Sequence, residues 1–308
     1  MAASRRKALD DDSWCMIPGS MVGERGMLRL REPAWSDRQE LAERLRKGDY
    51  SRPFVVDDGE TRRLHFGLDF VQSEMSLGQP EALRLLYTQA MMAFLLFLPK
   101  PKHIVIVGLG GGSLGKFCRR ELPEARVTTV EIDQDVIDFA ALFDLPARDS
   151  RLRIVHADAA EYFAGEGAPA DVILVDGCDA GGTAPAFNNG AFYRGLRAHL
   201  RPHGMAVINV TGPPSRVKSH LGLITHAFEQ RALSIELSDC RNRIVFGWNG
   251  EMPAGWKTLA PRAEELGLRH GLDFPEFARL LQRASRKHGL RTALSAAAAP
   301  FRNKRETI

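Results

Sequence analysis

Cysteine is scarce in this chain of 308 residues: the four thiols, Cys15, Cys118, Cys178 and Cys240, lie far apart, with no C-x-x-C pair among them. That spacing excludes a disulfide-built scaffold and predicts reduced thiols. No apolar run approaches the roughly 18 residues that cross a bilayer. The opening MAASRRKALDDDSW carries basic residues with no apolar stretch behind them. A cytoplasmic protein with no membrane partner is expected. None of the nine histidines is spaced with cysteines or acids as metal ligands would be, so no metal is expected. Blocks of like charge are also missing away from the two ends: the net charge is only +4, and lysines and arginines are spread among 38 acidic residues. This argues against a nucleic-acid partner.

What the chain does have is 44% apolar residues, enough for one large α/β domain with small additions. Three regions are predicted. Residues 1–79 read as an arm and a small β-hairpin region, with a helix over 36–46 that opens on a serine cap and a hairpin in which Phe54, Val55 and Val56 face Leu64 and Phe66 across an Asp-Asp-Gly turn. Residues 80–250 read as the nucleoside-binding domain. They begin with PEALRLLYTQAMMAFLLFL, a nearly continuous apolar run of helix formers that predicts a buried helix ending at Pro99. Residues 251–308 hold one predicted helix, over 274–287, and an alanine-rich stretch that leads to the basic end RNKRETI.

Within the middle region, HIVIVG, RVTTVE, LRIVH, DVILVD and MAVINV are β-branched runs separated by helical segments, the pattern of a parallel sheet covered on both faces. ALSIEL and RIVFGW, joined by SDCRN, then predict a closing hairpin. The fold expected is α/β and Rossmann-like, of the class I methyltransferase type: a mostly parallel seven-stranded sheet ending in an antiparallel hairpin, with a small N-terminal β element.

The first of these strands runs straight into Gly108-Leu-Gly-Gly-Gly-Ser113, where Gly108, Gly110 and Gly112 let a ligand approach the backbone. The sixth position is Ser113, so the loop departs from G-x-G-x-x-G, and its spacing suits a nucleoside with a short charged arm better than a pyrophosphate. Glu131 ends the second strand, 23 residues after Gly108, where a carboxylate can accept both hydrogen bonds of a ribose diol. Asp158, after the third strand, has two readings: an acceptor for an adenine amine, or the N-cap of the helix that follows. The fourth strand ends in Asp176-Gly-Cys-Asp179, two carboxylates on the rim where open α/β sheets hold ligands. Asp176 there can take a proton from an attacking amine, and Asp179 can neutralise a second cation or simply organise its loop as an Asx turn. Cys178 has no partner base in the sequence and reads as a bystander.

Taken together, VQSEM, LLYTQAM, IVIVGLGGGSLGKF, VTTVEIDQDVID, VHADAAEYF and DVILVDGCDAGGTAPAFNNGAFYRGL resemble the spermidine synthase (polyamine aminopropyltransferase) family, from about residue 54 to residue 248. The resemblance implies a transferase that uses decarboxylated S-adenosylmethionine, or S-adenosylmethionine itself, as co-substrate and a small-molecule amine or polyamine as acceptor. It also implies that Glu131 holds the ribose, Asp158 the adenine, Asp176 acts as general base, Asp179 binds the acceptor, Gln72 and Tyr87 line the substrate pocket, and the molecule is a homodimer. One departure stands out. The family's usual loop is G-G-G-D-G-G, and its aspartate falls where this chain has Gly111. The GLGGGSL form is similar to that of spermidine-synthase-like methyltransferases, so methyl transfer is the alternative chemistry. A non-catalytic nucleoside-binding protein is the alternative class, and nicotinamide redox chemistry is disfavoured by Ser113 and the closing hairpin.

Overall fold

A computed structural model describes residues 14–146, 149–165, 167–179, 181–237, 242–251 and 259–298. Cys240, most of the SDCRN loop and the RNKRETI end lie outside these residues.

The chain begins with an antiparallel meander of five strands, β1 (Cys15–Pro18), β2 (Met27–Leu30), β3 (Phe54–Asp57), β4 (Thr61–Gly67) and β5 (Phe70–Ser76), paired in that order. The predicted hairpin is β3 with β4, so the sequence reading saw two of the five strands. The strands β1 and β2 are only four residues long, too short for alternation to register. Between β2 and β3 runs α1 (Arg38–Lys47), one residue later than the serine-capped start expected: Asp37 is the cap, and its Oδ1 accepts from the Gln39 and Glu40 amides. Leu41, Ala42 and Leu45 on one face of α1 pack over Cys15, Ile17, Leu28 and Leu30.

The central sheet contains β6 (His103–Val107), β7 (Arg126–Glu131), β8 (Leu152–His156), β9 (Ala170–Val175), β12 (Leu200–Val210), β13 (Ala232–Glu236) and β14 (Arg243–Trp248), in the order β13-β14-β12-β9-β6-β7-β8, while a two-residue ribbon of β10 (Cys178–Asp179) and β11 (Gly182–Thr183) follows β9. Only β14 runs antiparallel to its neighbours β12 and β13. Side chains alternate across a strand, so Ile104 and Ile106 of β6 enter one core while Val105 and Val107 enter the other. Both faces are thus apolar, which is why the strands read as unbroken β-branched runs. Each such side chain contributes roughly 1.5–3 kcal/mol of burial. The helices α5 (Ala159–Ala164), α6 (Gly190–Ala198) and α7 (Pro214–Ala227) cover one face. The other is covered by α3 (Ser113–Glu121), α4 (Gln134–Phe139), α8 (Leu259–His270) and α9 (Phe274–Ala298). Of these, α8 is a helix that the sequence reading passed over. Among the described residues no helix is long and apolar enough to cross a membrane.

The predicted helix over 80–98 is shorter and tighter than expected. Residues 80–85 form turns, α2 (Leu86–Met91) is a six-residue helix, and the chain then winds as 3-10 helix through Leu96. Side chains close the turn ahead of α2: the Thr88 hydroxyl donates to the Leu85 carbonyl (2.6 Å), and the Gln89 amide to that of Leu83 (2.8 Å). Every side chain from Ala90 to Leu96 is buried, so packing on all sides, rather than one amphipathic face, shapes the segment.

Candidate active site

Sheet order decides where the site lies. The first core strand, β6, pairs with β7 on one side and β9 on the other, so the chain reverses direction across the sheet at the ends of β6 and β9. The glycine loop and Asp176 leave the sheet at this switch point. Gly108 has φ +92°, and a Cβ there would lie 2.4 Å from the Asp176 carbonyl oxygen, so both backbones can converge only because that side chain is missing. Gly111 is crowded instead by packing: a Cβ would stand 2.7 Å from the Ser73 hydroxyl and 2.8 Å from the Phe143 ring. An aspartate at this position would have to displace both.

Glu131 ends β7 beside the loop. Its Oε2 accepts from the Leu109 amide (2.8 Å) and its Oε1 from the Asp133 amide (2.9 Å), which aims the carboxylate at the cavity with a lone pair spare on each oxygen. Burial pushes its pKa up, and the amides of Asp133, Leu109 and Ile132 pull the other way. Asp158 fulfils its capping reading: Oδ1 accepts from the Ala160 (2.6 Å) and Glu161 (3.3 Å) amides. It nonetheless lines the same cavity, with Oδ2 outside the cap. Asp179 adopts the Asx turn, Oδ1 accepting from the Gly181 amide at 2.7 Å, and lines that cavity as well.

Both carboxylate oxygens of Asp176 are held by side chains. The Tyr87 hydroxyl donates to Oδ2 (3.2 Å) and the Asn209 amide to Oδ1 (2.9 Å), while Asn242 donates in turn to the Asn209 carbonyl oxygen (2.8 Å). Desolvation raises the Asp176 pKa; the bonds from Asn209 and Tyr87 partly offset it. Asn209 was not picked out by the sequence reading. It is the one polar residue of INV near the end of β12, and since Ile208 pairs with Val175, register alone sets it beside Asp176. A buried Asn in an apolar strand was the available signal. Cys178 lies between the two aspartates, and burial first, then their charges, push its thiol well above its ordinary pKa. That is the environment of an inert thiol, as expected of a bystander.

Two cavities meet here. The larger, about 450 Å³, is lined by Gly108, Gly110, Glu131, Ile132, Asp158, Asp179 and Phe187. The smaller, about 330 Å³, is lined by Phe70, Arg84, Leu86, Tyr87, Asn209 and Asn242. Gln72, Asp176 and Cys178 line both. Gln72 comes from β5 and reaches over Gly110, and among the described residues its buried carboxamide oxygen has no hydrogen-bond partner. The structure gathers Gln72, Tyr87, Gly108, Gly110, Glu131, Asp158, Asp176 and Asp179 around these two cavities and separates Asp179 from the chamber that holds Tyr87; Gly112 lines neither, and a Cβ there would stand 2.3 Å from the Leu145 side chain, so its glycine answers to packing. Among the described residues no three or more His, Cys, Asp or Glu side chains are grouped to hold a metal ion.

Comparison with known proteins gives this cleft a lineage. Residues 84–229 match the family model described as spermine/spermidine synthase domain. A polyamine aminopropyltransferase of Chromobacterium violaceum is 35% identical over 236 residues, covering 76% of this chain and 90% of the relative. More distant is the eEF1A lysine and N-terminal methyltransferase of Mus musculus, 26% identical over 225 residues, covering 68% of this chain but 31% of that protein. A crystal structure of a probable spermidine synthase from Corynebacterium glutamicum superposes with a TM-score of 0.58 at 22% identity, covering 70% of this chain and 84% of that one, which supports the fold. The chain belongs to the spermidine synthase (polyamine aminopropyltransferase) family and is a transferase of that family.

Proposed function

We propose that this transferase moves an aminopropyl group from decarboxylated S-adenosylmethionine to a primary amine of the kind its family uses. The observation that carries this reading is the meeting of two cavities at one hydrogen-bonded carboxylate, Asp176. In the larger cavity Glu131 takes the ribose diol, Oδ2 of Asp158 the adenine amine, and the exposed Ile132 side chain offers the base an apolar face. Asp179 keeps its second oxygen for a cationic group at the junction. The acceptor amine enters from the smaller chamber.

Catalysis is then chiefly orientation. The amine lone pair attacks the methylene carbon bonded to the sulfonium; the new C–N bond forms as the C–S bond breaks. The electron pair stays on sulfur, which leaves as a neutral thioether, and the proton goes to Asp176. Desolvation brings the Asp176 pKa nearer to that of an amine, which suits a general base, while Tyr87 and Asn209 fix its two oxygens.

Methyl transfer from S-adenosylmethionine is a second reading, favoured by Gly111: the loop has no carboxylate to receive an aminopropyl ammonium, and Ser73 and Phe143 fill the space. Mass spectrometry of the spent nucleoside separates the two. With both nucleosides and an amine present, 5′-methylthioadenosine is the expected product, and S-adenosylhomocysteine would replace aminopropyl by methyl transfer. Glu131→Ala is expected to weaken nucleoside binding about ten- to a hundredfold through loss of a charged hydrogen-bond acceptor. Unchanged binding would remove the nucleoside site from this cleft.

A further inference from the structure

Asn209 is 2% exposed, and its carboxamide is the middle link of a polar chain across the ends of three neighbouring strands, β9, β12 and β14. In the antiparallel register Asn209 lies opposite Ile244, so Asn242, two positions earlier, projects from the same face as its diagonal neighbour. Asn242 Nδ2 donates to Asn209 Oδ1 at 2.8 Å. Asn209 Nδ2 donates in turn to Asp176 Oδ1 at 2.9 Å and faces the Cys178 sulfur at 3.9 Å.

A carboxamide has nearly the same shape in its two orientations and opposite hydrogen-bonding chemistry in each. Turned over, Asn209 would set a carbonyl oxygen against Asp176, and only the protonated acid can meet that oxygen with a donor. The orientation of Asn209 and the protonation of Asp176 therefore form one two-state element, and the group on the far side of Asn209 selects between the states. By donating to Oδ1, Asn242 selects the state with the ionised carboxylate. Tyr87, on the other oxygen of Asp176, makes no such selection, because a hydroxyl can donate to a carboxylate or accept from an acid. We propose that Asn242 is a positioning residue that acts through Asn209: by holding the Asn209 oxygen it keeps the amide turned toward Asp176, so that the base stands ionised for the amine entering the smaller chamber, which Asn242 also lines. The proposal rests on the reading of Asp176 as general base.

Other charged and titratable groups share cavities with Asp176. Glu74, Arg84 and Tyr87 do so in a recess between α2 and the glycine loop, and Glu131, Asp133, Asp158, Cys178 and Asp179 in the larger cavity. All of them stay when Asn242 is replaced, so a changed titration of Asp176 on that substitution reports the carboxamide chain.

The test is the titration of the Asp176 carboxyl in the full chain without substrates, followed by carbon-13 NMR, with the signal identified by its loss in Asp176→Asn. It is run as a double-mutant cycle of Asn242→Leu and Asn209→Leu. Asn242→Leu is expected to move this titration, and with it the acid limb of kcat/KM, to higher pH by roughly half a unit to one unit, as weakening a hydrogen bond to a charged group implies. In the Asn209→Leu background the same substitution should add no further shift. Asn242→Asp keeps the side-chain shape but, ionised, can only accept; its shift should be larger in the wild type than in Asn209→Leu, where its charge alone acts. An Asp176 titration unmoved by Asn242→Leu, or a shift of equal size without Asn209, overturns the proposal. If Asn242→Leu fails to fold, equal shifts by Asn242→Asp in the two backgrounds overturn it instead. The two readings can fail separately. A carboxyl titration that moves while the kcat/KM limb stays keeps the Asn242 lock and removes Asp176 as the base, whereas a limb that coincides with the Asp176 titration but ignores Asn242 keeps the base and removes the lock.

Discussion

At the scale of single residues, Asp176, the proposed general base, shows how a buried carboxylate is held at the expense of stability. Its folded pKa is raised above the unfolded value by desolvation, so the native state binds this proton more tightly than the unfolded chain does. The contribution to stability is therefore largest below the unfolded pKa and is lost as pH rises through the folded one. Asp176→Asn removes the buried charge and keeps an acceptor for Asn209. It is expected to melt at a higher temperature than the wild type at pH 7 while kcat/KM falls about 10²- to 10⁴-fold. A lower melting temperature would mean that the ionised carboxylate is a net stabiliser. Asn209→Leu leaves Asp176 in place and deletes one donor that favours its charged form. The acid limb of the kcat/KM profile should move to higher pH, and a superimposable profile would show that Asn209 only fills space. The sequence named Asp176 and Tyr87, but not the bond between them. They are 89 positions apart, and without the family resemblance Tyr87 reads as one more apolar residue of its helix.

At the scale of an element, α3 carries a lysine where its buried face should be apolar. Lys116 is 3% exposed; its Nζ donates to the Phe143 carbonyl (2.7 Å) and to the Met75 sulfur (3.1 Å), tying α3 to β5 and to the segment that presses on Gly111. Desolvation lowers its pKa to about 8 from an ordinary 10.5. Between those values the unfolded chain binds more protons than the native one, so this group adds stability as pH rises, up to about 3 kcal/mol across the window. Denaturant unfolding at pH 7.5 and 9.5 should show this gain in the wild type relative to Lys116→Met. Equal pH dependence in the two proteins would mean that Lys116 stays charged in the fold. Strands were the most legible elements: β6, β7, β8, β9 and the closing hairpin were all marked by apolar runs, because both sheet faces are dry. The helix before β6 was the least legible, since an apolar run carries no period from which to place its start.

At the scale of the whole molecule, the cleft exists because the N-terminal sheet is docked on the central one. Arg52, between Ser51 and Pro53 of the cavity wall, forms two bonds with Asp135 of α4 (2.8 and 2.9 Å), and Arg31 pairs with Asp135 and Asp138. Arg62 donates to the Leu142 carbonyl. These groups are partly exposed, so each is worth little in stability, yet they fix where the wall stands. Arg52→Ala should raise KM for the nucleoside about three- to tenfold with little change in kcat. Steady-state kinetics decides it: a fall in kcat at constant KM would place Arg52 in the chemistry rather than in the wall.

By itself the sequence determined the central sheet, the glycine loop and the carboxylates at the strand ends, because each depends on a local rule: β-branched runs, backbone that no side chain can accompany, and strand ends that face ligands. Only the tertiary structure decided which groups share a cavity. It placed Gln72 over the glycine loop, joined Tyr87, Asn209 and Asn242 to Asp176, separated Asp179 from the smaller chamber and set Arg84 within it. These relations come from sheet order and from the docking of one sheet on another. Both are fixed by long-range burial, which leaves no period and no motif in the chain.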